Sequence, residues 1–152
     1  MTDTWRHLPA PARPIAASAT AAVAAVRAGD TAALDEATAV LAALDPAHTG
    51  LILGTTVRLL LEDRNPDGLT ADDVRAALAS AVRSWPDADP PVVLWLLAGA
   101  LGVLEEDGSP APKPDALARH SAVLIADLLA SRPIAPWWTA ALAEIERSQL
   151  ND

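Results

Sequence analysis

Three histidines offer the only acid–base groups of this chain that are suited to catalysis near neutral pH. His7 lies in a Pro-rich N-terminal stretch, His48 falls in the first turn of a predicted helix, and His120 stands beside Arg119 at the border of another. No two of them have the spacing that places two metal ligands on one helix face, and no Gly-flanked Ser elbow or phosphate-binding Gly loop is present. The sequence therefore predicts no catalytic residue.

Residues 63–68, Asp-Arg-Asn-Pro-Asp-Gly, resemble the start of an EF-hand calcium loop. Oxygen-bearing side chains hold its first, third and fifth places and a glycine its sixth: Asp63, Asn65, Asp67 and Gly68. Counting twelve residues, 63–74, puts Val74 where the bidentate Glu belongs, so two of the about six to eight oxygens that Ca²⁺ needs are lost. The resemblance implies a degenerate calcium-modulated helix pair. A tight turn followed by a helix cap at Thr70 explains the same residues without a metal, and we predict no metal site.

Trp137 and Trp138 stand next to each other in the last predicted helix. Adjacent helical positions point about 100° apart, so both rings are buried only if a second surface covers one of them. Either the neighbouring Pro-rich loops supply that surface or another protein does, since Trp is enriched at protein–protein contacts. The pair motivates the hypothesis of a homodimer or a partner interface at the last helix.

The charge balance disfavours two classes of partner. The chain carries 20 carboxylates against 11 cationic side chains, for a formal net charge of −9. Such a surface repels nucleic-acid phosphates and anionic lipid, so we expect neither nucleic acid nor membrane as a partner. The absence of Cys excludes disulfides, thiolate metal sites and thiol catalysis.

Two apolar stretches could be mistaken for membrane or export signals. Residues 92–104 are apolar throughout, but 13 residues fall short of the roughly 20 that span a bilayer. Residues 15–26 are Ala-rich but lack Leu and Phe, and they run into Arg27 without a clean cleavage site. The sequence therefore predicts a cytoplasmic protein.

The elements that must position these residues are helices. The chain contains 35 Ala and 22 Leu but no Phe or Tyr, a composition that favours helix over sheet. Apolar residues recur at helical spacing in seven segments, near residues 14–28, 31–45, 46–64, 70–85, 90–104, 115–131 and 136–150. We predict an all-α fold: a compact antiparallel bundle of six or seven helices, with 46–64 and 90–104 as its core.

The domain organisation follows from prolines and from a repeated rhythm. Pro9, Pro11 and Pro14 predict an irregular N-terminal arm over residues 1–14, followed by a single helical domain over 15–152. Residues 46–85 and 90–131 each read as a buried helix, an acidic turn and an amphipathic helix, with a period near 45 residues. The bundle can thus be read as two degenerate helical hairpins plus flanking helices, although any antiparallel bundle shows this rhythm.

No motif assigns a function, and three hypotheses stay open. We favour a small acidic, non-catalytic protein–protein interaction module that forms a homodimer or binds a protein partner, with no cofactor. The first alternative is the calcium-modulated helix pair at 63–74. The second is a small-molecule-binding or enzymatic bundle, which a deep pocket ringed by His120 and buried carboxylates would favour.

Overall fold

The computed structural model describes residues 12–103 and 111–150, and within them the chain forms α-helices and no strand. The helices are α1 (Ala12–Ala28), α2 (Thr31–Ala43), α3 (Pro46–Arg64), α4 (Ala71–Ser84), α5 (Pro90–Ala100), α6 (Pro114–Leu129) and α7 (Ala135–Leu150). The predicted all-α bundle is confirmed, because the helices pack on one another around a common apolar core.

Several helix ends carry glycines or capping side chains, and α5 ends at Ala100 rather than at the predicted residue 104. Gly29 and Gly102 follow α1 and α5 with φ of +68° and +72°, a left-handed conformation that glycine adopts without steric cost. Asp30 accepts a hydrogen bond from the N–H of Ala33 at the start of α2. Thr70 and Asp73 form the predicted capping box of α4, each side chain bonding the other's backbone N–H.

The N-terminal stretch is described from Ala12 onward, and α1 begins at that residue. We predicted an irregular arm as far as residue 14. Pro14 is tolerated inside the helix because it lies in the first turn, where a backbone N–H has no helical partner in any case. Residues 1–11, including His7, lie outside the described residues, so the rest of the predicted arm stays a prediction.

The most buried helix is α6, which contacts each of α1 to α5. Ten of its sixteen residues are buried, against three of eleven in α5. The prediction that residues 90–104 form a core helix is therefore wrong, while α3 (46–64) does bury a continuous apolar face. Hydropathy overestimates the burial of α5 because it measures how apolar a helix is and not whether other helices cover it.

The C-terminal end of α6 is stabilised by three arginines from different parts of the chain. Arg64 and Arg132 donate to the carbonyl of Leu128, and Arg27 donates to the carbonyl of Ala130 over 3.1 Å. Cationic groups at this end of a helix neutralise its partial negative charge and pair carbonyls that the helix leaves free. These arginines therefore have a structural role.

The two-hairpin interpretation fits the second half of the chain only. α5 packs on α6, as residues 90–131 require. In residues 46–85, however, α3 packs mainly on α6, α7 and α5, while α4 packs on α5 and α6. The main contacts of α3 and α4 are thus with other helices, and the structure gives the proposed duplication no support beyond its rhythm.

Candidate functional site

An apolar groove of about 280 Å³ lies between α3 and α5. The end of α2 and the start of α6 complete its lining, and none of the described residues that line it is charged. Its larger apolar side chains are Leu41, Leu53, Val57, Trp95, Leu96 and Leu117. The volume is close to the lower limit of about 300 Å³ for small-ligand pockets, so the groove has room for one or two apolar side chains or a small molecule.

Three glycines leave the groove open. Gly50 and Gly54 stand one turn apart on α3, and Gly99 stands on α5. A Cβ atom built at any of them meets no other heavy atom within 4 Å, and none has a positive φ. Neither close packing nor backbone conformation requires glycine at these three positions. Each glycine destabilises its helix by about 1 kcal/mol relative to Ala. Because these positions carry no side chain, the groove stays open beside them.

Thr49 places an unpaired hydroxyl in the groove wall. Its Oγ1 is buried and has no hydrogen-bond partner. The hydroxyls of Thr20, Thr38 and Thr56 each donate to the carbonyl four residues earlier, over 2.7 to 2.8 Å. Since a buried polar atom without a partner is costly, Thr49 is a natural anchor for a polar group that enters the groove.

The outer side of α5 is apolar and exposed. The helix has no charged side chain, and Leu94, one residue before the groove-lining Trp95, is 49% exposed. On the facing helix, Leu51 follows Gly50 and is 46% exposed. Single exposed leucines are ordinary, and neither of these two is among the residues that line the groove.

His120 fixes the start of α5 onto α6. The ring is buried; its Nε2 accepts from the backbone N–H of Asp89 over 2.8 Å, and its Nδ1 lies 2.8 Å from the carbonyl of Ala116. A carbonyl only accepts, so Nδ1 carries the proton and the ring is neutral. Both ring nitrogens are used by the backbone, which leaves neither of them free as a catalytic base.

A second, polar cleft lies beside His120, between α2 and α6. Asp35, Asp115 and Arg119 line it, and Arg119 forms an ion pair with Asp35 while its guanidinium lies 6.0 Å from the centre of the Trp85 ring. Both carboxylates are exposed. In this cleft the imidazole is engaged by the backbone and both carboxylates are solvated, so it differs from the predicted pocket ringed by His120 and buried carboxylates.

Two side chains of the calcium-like loop, those of Asp63 and Asn65, are engaged in protein contacts. Asp63 accepts from Arg132 over 2.8 Å, the side chain of Asn65 donates to the carbonyl of Leu61, and the N–H of Gly68 closes a turn on the carbonyl of Asn65. Within residues 12–103 and 111–150, no cluster of three or more His, Asp or Glu side chains has a geometry that could hold a metal ion. The loop geometry is that of the turn and cap.

The two adjacent tryptophans have different environments. Trp138 is 1% exposed and donates from Nε1 to Thr20 Oγ1 over 2.9 Å. Trp137 is half-buried against the core, and the guanidinium of Arg132 lies 5.3 Å from the centre of its ring. The chain itself therefore covers Trp138 completely and Trp137 in part, which leaves only part of the Trp137 ring for an interface at the last helix.

No family model, curated protein or solved structure matches the chain. In the part of the chain that the structure describes, no helix has both the length and the apolar character needed to cross a membrane.

Sequence reasoning missed the groove. The signal that could have found it is the set of glycines, because Gly50 and Gly54 have helical spacing in an apolar segment and face Gly99 in another. Glycine inside a helix is unfavourable. Two glycines one turn apart therefore indicate a face where a side chain would block a neighbouring element or fill an open space.

Proposed function

We propose that the protein is a non-catalytic interaction module and that its binding surface is the α3–α5 groove, which receives apolar side chains of another protein. The observation that carries this proposal is the open space at Gly50, Gly54 and Gly99 in an uncharged groove. Apolar anchors that enter such a pocket supply most of the binding energy at protein interfaces.

The net charge of the chain restricts the classes of partner that it can bind. At −9, the chain disfavours nucleic acid and anionic membrane surfaces as ligands. We place the module in the cytoplasm, because the Ala-rich residues 15–26 lack the Leu and Phe typical of a secretory signal core.

Site-specific photo-crosslinking in the native cell tests the proposal. A photoreactive residue at the half-buried Trp95, which lines the groove on α5, is expected to give a discrete adduct with another protein. The same residue at the exposed Ala76 on α4 is the control and gives none. In a Gly54→Leu background, which fills the groove, the Trp95 adduct disappears.

Three results would contradict the proposal. Equal adducts at Trp95 and Ala76 would show unspecific contact. An adduct of twice the chain mass would identify a second copy as the occupant. No adduct at Trp95, with the protein folded and abundant, would remove the groove from consideration as a protein-binding surface.

A small apolar molecule is the second candidate occupant, because the volume of about 280 Å³ is close to that of a small-ligand pocket. The test is native mass spectrometry of protein purified from its own cells under mild conditions. A bound small molecule on the wild type that is absent from Gly54→Leu would favour this candidate.

A further inference from the structure

Resting on the proposed function, we infer that the partner segment is a cationic amphipathic α-helix: its apolar stripe enters the α3–α5 groove, and its lysines or arginines face the acidic surface around it. Three features of the molecule lead to this chemistry: the secondary structure that the groove accepts, the spacing of its open positions and the charges that surround it.

The groove favours a segment that satisfies its own backbone. In residues 12–103 and 111–150 the structure has no strand, and so no sheet edge to which an extended peptide could add. The walls are helices whose backbone groups bond within the helix. An extended peptide lying here would leave its own N–H and C=O groups unpaired at an apolar wall, whereas a helix brings them already bonded.

The open positions have the spacing of a helix. Gly50 and Gly54 are four residues apart on α3, which places their gaps about 6 Å from each other along the helix axis. Side chains at i and i+4 of a second helix have the same separation and can enter both gaps. The gap at Gly99, on the opposite wall, can receive another apolar residue of that second helix, one at i+3 or i+7.

The groove is flanked by two exposed carboxylates and one exposed cation. Asp45 stands between the groove-lining Leu44 and Pro46, while Lys113 and Asp115 stand on either side of the groove-lining Pro114. The nearby arginines on the wall helices are paired: Arg58 on α3 with Glu62 and Glu144, and Arg119 on α6 with Asp35. With a net charge of −9 over the whole chain, a cationic segment is steered to this surface and an anionic one is repelled.

A matched pair of synthetic peptides tests this inference by fluorescence anisotropy with the full chain. Both have about 18 residues with leucines at i, i+3, i+4 and i+7; one carries lysines on the polar face and the other glutamates. The lysine peptide is expected to bind at least about tenfold more tightly, with an affinity that falls as salt is raised. A third peptide, with the same composition but scrambled leucines, is not expected to bind.

Groove-filling variants separate specific docking from unspecific attraction between opposite charges. Gly50→Leu and Gly54→Leu are expected to weaken the lysine peptide about tenfold or more, since loss of one buried anchor is a hot-spot effect. Ala76→Leu, which adds the same side chain to the exposed side of α4, leaves binding unchanged. Circular dichroism and the Tm of each variant confirm that it is folded.

Each failure has its own meaning. Lysine-peptide binding that is equal in the wild type and in Gly54→Leu overturns the groove as the docking site. Equal affinity for the lysine and glutamate peptides overturns the cationic partner. A crosslink at Trp95 in the native cell without lysine-peptide binding also overturns the partner chemistry, but it leaves the interaction module standing. Wild type that sediments as a dimer, with Gly54→Leu monomeric, shows that a second copy fills the groove.

Discussion

Trp138 on α7 and Thr20 on α1, 118 residues apart, are joined by a hydrogen bond of 2.9 Å from the indole Nε1–H to the threonine Oγ1. The same hydroxyl donates to the carbonyl of Ala16 over 2.7 Å, so it is satisfied both as acceptor and as donor. The bond pairs the only polar atom of a ring that is 1% exposed. It explains how the largest side chain of α7 can lie in the core.

Thr20→Val is expected to lower the free energy of unfolding by about 1 to 3 kcal/mol, because it leaves the buried indole N–H without an acceptor while keeping the side-chain shape. Trp138→Phe removes the N–H and part of the ring. If the bond matters, the double variant loses less than the sum of the two single losses. Urea denaturation measures all four proteins, and strict additivity would contradict this account.

Gly99→Ala and Gly102→Ala are expected to change stability in opposite directions, although the two residues are only three apart. Gly99 is helical and its Cβ space is open, so Ala stabilises the protein by up to about 1 kcal/mol. Gly102 has φ +72°, where Ala is strained, so the same change destabilises by about 1 to 2 kcal/mol. The Tm of each variant checks the direction of the two stability changes. A stabilising Gly102→Ala would contradict the left-handed conformation of Gly102.

His120→Leu is expected to destabilise the protein by about 1 to 3 kcal/mol, since the N–H of Asp89 then faces an apolar side chain. His120→Gln is the matched variant, because its Oε1 can accept where Nε2 did, and it keeps most of the stability. Chemical denaturation compares the two. Equal losses in both variants would show that the ring contributes by packing and not by its acceptor.

The ion pair between α3 and α7 predicts a pH dependence. Hydrogen bonds from Arg147 and then Arg58 hold the pKa of Glu144 below its ordinary value of 4.5. Because the carboxyl binds its proton less tightly in the folded state, it contributes stability above that ordinary pH and loses it as the pH falls through the lowered pKa.

Glu144→Gln is therefore expected to be less stable than the wild type at neutral pH, with a difference that shrinks as the solution is acidified below pH 4.5. Glu146→Gln on the same helix removes an equal charge from an exposed position, and it controls for net charge alone. Denaturation curves at a series of pH values measure both. A difference that grows on acidification would reverse the assigned sign.

Much of the fold could be predicted from local signals. The apolar rhythm and Pro46 placed α3 correctly from residue 46 to 64, and Thr70 with Asp73 predicted the start of α4. These signals act within one or two turns of the chain, and the chemistry of caps and prolines is local. Burial was harder to predict: His120 was expected at the border of its helix, yet it is buried.

The candidate site could not be predicted because it is a space left by absent side chains and not a cluster of reactive residues. Hydropathy read α5 as a core helix, since nothing in its sequence says that Leu94 remains uncovered. The conspicuous residues led elsewhere: Trp138 lies in the core, and Asp63 forms an ion pair with Arg132. Space next to Gly54 depends on where α3 and α5 lie relative to each other, which is a long-range relation.

The central position of α6 also has a consequence for how the protein is made. A ribosome releases the chain from its N terminus, so α1 to α5 emerge before the helix that all of them contact has been synthesised. Until then the apolar faces of those five helices lack their shared partner and are exposed to chaperones or to one another. Completion of the native core is therefore a late event in synthesis, coupled to the appearance of the last third of the chain.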